Sequence, residues 1–187
     1  MLKKVLFEIL KNKLLIVLLL AFDLLVFFNV QNINLLLVEY FSMFFLVLLI
    51  CDNIRDDLTH GGMIFLLNSN FSFYRIYIIE GICSVLFCSQ LFILFLINNP
   101  QDYKIIITFI ERMFCFFGFI KLFFYLIGDK PVLVYVSSLL TNMALLFAEK
   151  YISLIAYNLI LAIIFIIIFN INKLLFYSKL FRLKITG

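Results

Sequence analysis

Charge is scarce in this chain. Asp, Glu, Lys and Arg make up 14% of its 187 residues, against about 25% in soluble domains. With 66% hydrophobic residues and a mean hydropathy of +1.18, it has too little polar surface to clothe a water-facing fold. That excludes an ordinary soluble domain and points to the bilayer as solvent. Histidine is nearly absent: the lone His60 reads as a solvated loop residue, and no carboxylate–histidine or serine–histidine arrangement supports hydrolysis. The four cysteines, Cys51, Cys83, Cys88 and Cys115, fall in or beside apolar runs without CxxC or CxxCH spacing, which suits soft packing rather than metal binding. No GxxxxGK[ST] stretch occurs, so the chain lacks a phosphate cradle of its own. The expectation is a non-catalytic protein without cofactors. Its net charge of +4 lies at the two ends and in short loops, a pattern that orients a membrane protein rather than binding nucleic acid.

What the chain has in abundance is long apolar runs. Six candidate spans can be delimited: Leu14–Val30, Ile33–Cys51, Ile76–Ile97, Ile105–Ile127, Val132–Ala148 and Tyr151–Phe169. Each approaches the roughly 20 residues a helix needs to cross the hydrocarbon. Lipid-exposed backbone must satisfy its own hydrogen bonds, and the runs show no period-two alternation, so helices are predicted rather than strands. The fold class is therefore all-α, a polytopic membrane protein with one transmembrane domain over 1–187 and no repeat or second domain. No small-x-small cleavage site follows Phe28, so the first run reads as a retained span.

Lys3, Lys4, Lys11 and Lys13 precede the first span, and Lys173, Lys179, Arg182 and Lys184 follow the last. Six crossings put both ends on one side together with Arg55, Arg75 and Lys130, leaving Lys104 and the Glu149–Lys150 corner in the opposite loops. The positive-inside rule makes both termini cytoplasmic. Leu2, Val5, Leu6 and Ile9 recur at helical spacing, which predicts an interfacial helix over 1–12, the alternative being a ragged start to the first span.

The longest polar interruption is the connector at 52–75. Asp52, Arg55, Asp56 and Asp57 follow the second span, Gly61-Gly62 permits a sharp turn, and Met63–Leu67 is apolar but too short to span. Ser69 or Ser72 is placed to cap the third span. The pattern predicts a short helix along the cytoplasmic face, its apolar side turned to lipid or to a partner.

An amphipathic basic start, six spans without large loops and this acidic-glycine connector together resemble the type-2 ABC transporter permeases. Within them the chain is most similar to the CcmB family, the haem-exporter permeases of cytochrome c maturation. The resemblance runs through Arg55-Asp56-Asp57, Gly61 or Gly62, Leu66-Leu67 and Ser69, more loosely through Cys115–Phe119 around Gly118, and through the tail Leu180 to Ile185. The chain departs from that pattern in being short between the first two spans, in having His60 before the glycines, and in lacking prolines in the fifth span. The resemblance implies a membrane permease that works with a separate cytoplasmic ABC ATPase, with Arg55, Asp56, Asp57, Gly61, Gly62, Leu66, Leu67 and Ser69 forming the coupling helix. It also implies a haem-handling membrane protein, a small one-span protein and a second copy of the chain as partners, in a bacterial inner membrane or an organellar one. Two alternatives stand beside it: a type-2 permease for a peptide, lipid or drug, and a non-transport assembly scaffold.

Six ionisable residues fall inside the predicted spans: Asp23, Glu39, Glu80, Glu111, Arg112 and Lys121. A charge at mid-bilayer costs on the order of 3 kcal/mol, so each should face protein or water, or be neutralised. Matched depth and opposite sign predict an outer pair, Glu39–Arg112, and an inner pair, Glu80–Lys121. Asp23 is left without an opposite charge: protonated, paired elsewhere or lining a polar path. Either the six hold helices together or they mark a route for protons or substrate.

Overall fold

The computed structural model describes residues 10–28, 34–59, 72–98, 105–127 and 130–186. Among them every regular element is an α-helix: α1 Lys13–Phe28, α2 Leu35–Thr59, α3 Phe73–Asn98, α4 Ile106–Ile127, α5 Pro131–Tyr151 and α6 Leu154–Thr186. Three of these contain stretches long and apolar enough to cross a membrane: Phe73–Ile97, Val132–Tyr151 and Leu154–Ser178. The other three fall short for separate reasons. Helix α1 has only 16 residues, about 24 Å at 1.5 Å per residue against a hydrocarbon core of about 30 Å. The apolar part of α2 ends at Cys51, and α4 carries Glu111, Arg112 and Lys121 along its 22 residues.

The helix ends follow local chemistry. Asn12 starts α1, its side-chain oxygen accepting from the Leu15 N–H at 3.3 Å and its carbonyl from the Ile16 N–H. Asn34 opens α2 in the same manner through the Leu36 N–H. Of the two serines placed to cap the third span, Ser72 does so, accepting from the Arg75 N–H at 3.4 Å. Pro131 occupies the first turn of α5, where its missing N–H costs nothing.

Four boundaries depart from the sequence expectation. Helix α2 continues to Thr59, so Asp52–Asp57 extend the second helix instead of belonging to a separate connector helix. Phe73–Arg75 already belong to α3. Glu149 and Lys150 lie in the last turns of α5 rather than in a corner, and the chain turns at Ile152–Ser153. Helix α6 does not stop at Phe169 but runs 33 residues to Thr186, about 50 Å. In each case helical hydrogen bonding continues past the hydrophobic boundary, because a helix already nucleated gains one backbone bond for each further residue it fixes.

Helix α4 is the axis of the bundle and packs on α2, α3, α5 and α6, while α1 lies outside against α3 and α2. Paired contacts give the directions. Lys121 meets Glu80 and Phe109 stacks on Phe92 with ring centres 3.9 Å apart, so α3 runs antiparallel to α4. Cys115 meets Leu161 and Gly118 meets Asn172, so α6 runs parallel to it. Thr108, Phe109, Cys115, Gly118 and Lys121 point in different directions around α4 and are all buried. By contrast α1 buries only one stripe, Leu15, Leu19 and Val26, and leaves Leu14, Val17, Leu20 and Leu24 exposed. A helix apolar on its exposed face is suited to lipid rather than water.

Candidate functional site

The polar residues of this bundle gather in layers along α4. Near its start, Arg112 is fully buried and its guanidinium reaches two helices at once. One terminal nitrogen lies 2.7 Å from Glu39 Oε1 of α2, and the other donates to Glu149 Oε2 of α5. The Glu39 side chain is 2% exposed and that of Glu149 is 25% exposed. The planar, permanently charged fork of arginine suits this role, since one group can engage carboxylates from two directions. Tyr157 of α6 lies beside Arg112 and donates its hydroxyl to the Leu145 carbonyl at 2.9 Å.

Nine residues further along α4, about 13.5 Å away, Lys121 meets Glu80 of α3 at 2.5 Å, both side chains being buried. Its ammonium also sits 5.7 Å from the centre of the Phe117 ring, a cation–π distance. Between the two ionic layers, Asn172 of α6 donates to the Gly118 carbonyl at 2.9 Å and to the Tyr77 hydroxyl at 3.3 Å, joining α6, α4 and α3. Gly118 is required by this crossing: a Cβ there would stand 2.9 Å from Ile168 and 3.0 Å from the Tyr77 hydroxyl. Close approach through a small residue is how helices pack where lipid competes for their surfaces.

The structure thus brings together Glu39 with Arg112 and Glu80 with Lys121, the pairs expected from depth and sign. Asp23 of α1 finds a neutral partner, accepting from Gln90 Nε2 of α3 at 2.9 Å, while its other oxygen is buried without a bond. Glu111 is set apart from the ionic layers: one of its oxygens is buried without a partner, and the residue borders an apolar cavity between α3, α4 and α6. Of the residues expected to form a coupling helix, Arg55, Asp56 and Asp57 lie on the helical extension of α2. Gly61, Gly62, Leu66, Leu67 and Ser69 lie outside the described residues, as do residues 1–9 of the expected interfacial helix and His60.

Several participants escaped the sequence, Gln90 and Asn172 among them. Glu149, assigned to a loop, completes the arginine layer; the signal was an acid within two residues of a span end, at the depth of Arg112. Ser138 and Asn142 are both fully buried on α5, and Asn142 has neither amide atom bonded to protein. Their spacing of four residues in an apolar helix was the available sign. Among the described residues no group of three His, Cys, Asp or Glu side chains converges on a metal-sized site. No protein-family model, curated protein or solved structure matches the chain.

Chemically, these layers fasten helices. Each of the three ion pairs described joins α4 to another helix, and together with Asn172 they attach α4 to each of α2, α3, α5 and α6.

Proposed function

We propose that the chain is the membrane permease of an ABC-type transport complex, with all six helices crossing the bilayer and both ends at the cytoplasmic face. The observation that carries this reading is the shape of α2. Its apolar stretch ends at Cys51, yet the helix continues to Thr59 and takes Asp52, Arg55, Asp56 and Asp57 beyond it. A charged helical extension continuous with the span is suited to transmitting force from a soluble ATPase into the bundle.

The pairing of charges supports membrane placement of α4. An isolated Arg or Lys at mid-bilayer is costly, but here both buried cations, Arg112 and Lys121, have a carboxylate within ion-pair distance, the arrangement intramembrane charges require. The narrower assignment, to haem export in cytochrome c maturation in a bacterial inner membrane or an organellar counterpart, rests on the likeness of Arg55-Asp56-Asp57 and the residues through Ser69 to that family. The haem-handling membrane protein, the one-span protein and a second copy of the chain are partners on the same ground.

The test is ATP turnover by the complex. The double variant Asp56→Lys, Asp57→Lys should leave the permease folded while abolishing ATPase co-purification or uncoupling hydrolysis. Unchanged binding and coupled turnover would remove the docking role. Loss of the permease should also abolish covalent c-type haem attachment; normal cytochrome c with altered sensitivity to a peptide or drug would shift the cargo.

A second reading, a non-transport assembly scaffold, is favoured by the ionic layers themselves, which hold α4 to its neighbours near both ends. It predicts that relaxing either layer lowers assembly yield without any ATP-dependent defect.

A further inference from the structure

A trough of about 470 Å³ runs between α2 and α5, within the size range of small-ligand sites. Leu37 and Tyr40 of α2 and Met143 and Phe147 of α5 line it, and its two polar residues, Asn34 and Lys150, stand where α2 begins and α5 ends. Polar groups at one end and hydrocarbon below are the complement of an amphiphile.

The charge at that end is specific. Lys150 is exposed, its ammonium 6.0 Å from the Phe147 ring, and it has no acidic partner among the described residues. The adjacent acid, Glu149, is already engaged by Arg112. Asn34 uses its side-chain oxygen to cap α2, which leaves its amide group as a donor. An unpaired ammonium and an amide donor at the mouth of an apolar trough call for an anion carrying a hydrocarbon chain. A partner's helix, 10–12 Å across, would fill a comparable volume with about one turn, so a single acyl chain is the better fit.

We propose that this trough holds an acyl chain of an anionic phospholipid whose phosphate pairs with Lys150. The site depends on the protein lying in a membrane and not on its having a transport role. Lipid there would cover the outer side of the α2–α5 seam, directly over the Glu39–Arg112–Glu149 layer.

The chain contains no tryptophan, so Phe147→Trp installs a single reporter in the trough. The full-length variant is reconstituted in phosphatidylcholine vesicles, and its fluorescence is quenched with dibrominated phosphatidylglycerol or dibrominated phosphatidylcholine. Phosphatidylglycerol should be preferred about fivefold, the order expected of one lysine beside an anionic headgroup. Lys150→Gln should erase the preference and Lys150→Arg should keep it. A reporter on the exposed face of α6, Leu159→Trp, should quench equally with both lipids. Equal quenching at position 147, or a preference that survives Lys150→Gln, reduces the trough to ordinary bulk lipid and overturns the proposal. So does the absence of quenching at 147 with normal quenching at 159, which would place a protein partner over the seam. Should Phe147→Trp misfold by circular dichroism, Met143→Trp reports on the same trough.

Discussion

Glu39→Gln is the substitution on which the account of the arginine layer turns. At 2.7 Å the gross attraction between the two charges is about 6 kcal/mol at an effective dielectric of 20. Part of this offsets the desolvation of both ions, and Arg112 keeps Glu149 as a partner, so the measurable quantity is the loss of one buried charge-assisted contact, about 1.5–3 kcal/mol. Against a native stability of about 5–15 kcal/mol, that is a substantial loss. Glu149→Gln removes a carboxylate whose side chain is 25% exposed; water screens that contact, and about 1 kcal/mol is expected. The two variants therefore separate the buried half of the layer from the hydrated half. Replacing all three charges together, as Arg112→Met with Glu39→Gln and Glu149→Gln, should recover stability to within about 1–2 kcal/mol of the native chain or exceed it. The assay is unfolding in mixed detergent micelles followed by far-ultraviolet circular dichroism. Glu149→Gln costing as much as Glu39→Gln, or a triple variant weaker than the worst single one, would overturn this division of the layer into a buried and a hydrated half.

Swapping the charges at 39 and 112 alone should rescue only in part, because Glu149 would then face the carboxylate introduced at 112; adding Glu149→Gln should improve the rescue, read as assembly yield. Glu80→Gln should destabilise by about 3–5 kcal/mol in the same unfolding assay, since it strands Lys121 in a site where both side chains are buried. Gly118→Ala should cost about 1–3 kcal/mol by overpacking against Ile168 and Tyr77, and Gly118→Leu should prevent assembly altogether. Asp23→Asn keeps the acceptor for Gln90 and removes a charge with one unbonded oxygen. It should be neutral or stabilising, whereas Gln90→Leu, which strips the carboxylate of its donor, should cost about 1–3 kcal/mol.

How much of this could be read in advance varied with the kind of signal. Two of the three ion pairs described on α4, Glu39–Arg112 and Glu80–Lys121, were legible because a cation inside an apolar run must find an anion at its own depth, and few candidates existed. Asp23 was not resolved by that logic, since its partner is the neutral Gln90 and carries no sign to match. Glu149 was missed for a related reason. Hydropathy marked the end of the fifth span at Ala148, but the helix continues to Tyr151 and carries the acid back over Arg112. The same continuation extended α2 to Thr59 and α6 to Thr186. Hydropathy measures where the chain prefers lipid, whereas the helix ends where its backbone bonds end.

Composition and hydrophobic patterning were enough to specify an all-helical, lipid-compatible chain, because transfer free energy is a local sum over residues and needs no partner. Which helix forms the centre was beyond them: α4, the most charged of the apolar runs, is the axis, since only there do its ions meet carboxylates from α2, α3 and α5. Gly118 had no visible purpose until Ile168, Tyr77 and Asn172 were brought against it from helices 41 to 54 residues away in sequence. Contact energies of that kind depend on the positions of both partners at once, and tertiary packing alone decides them.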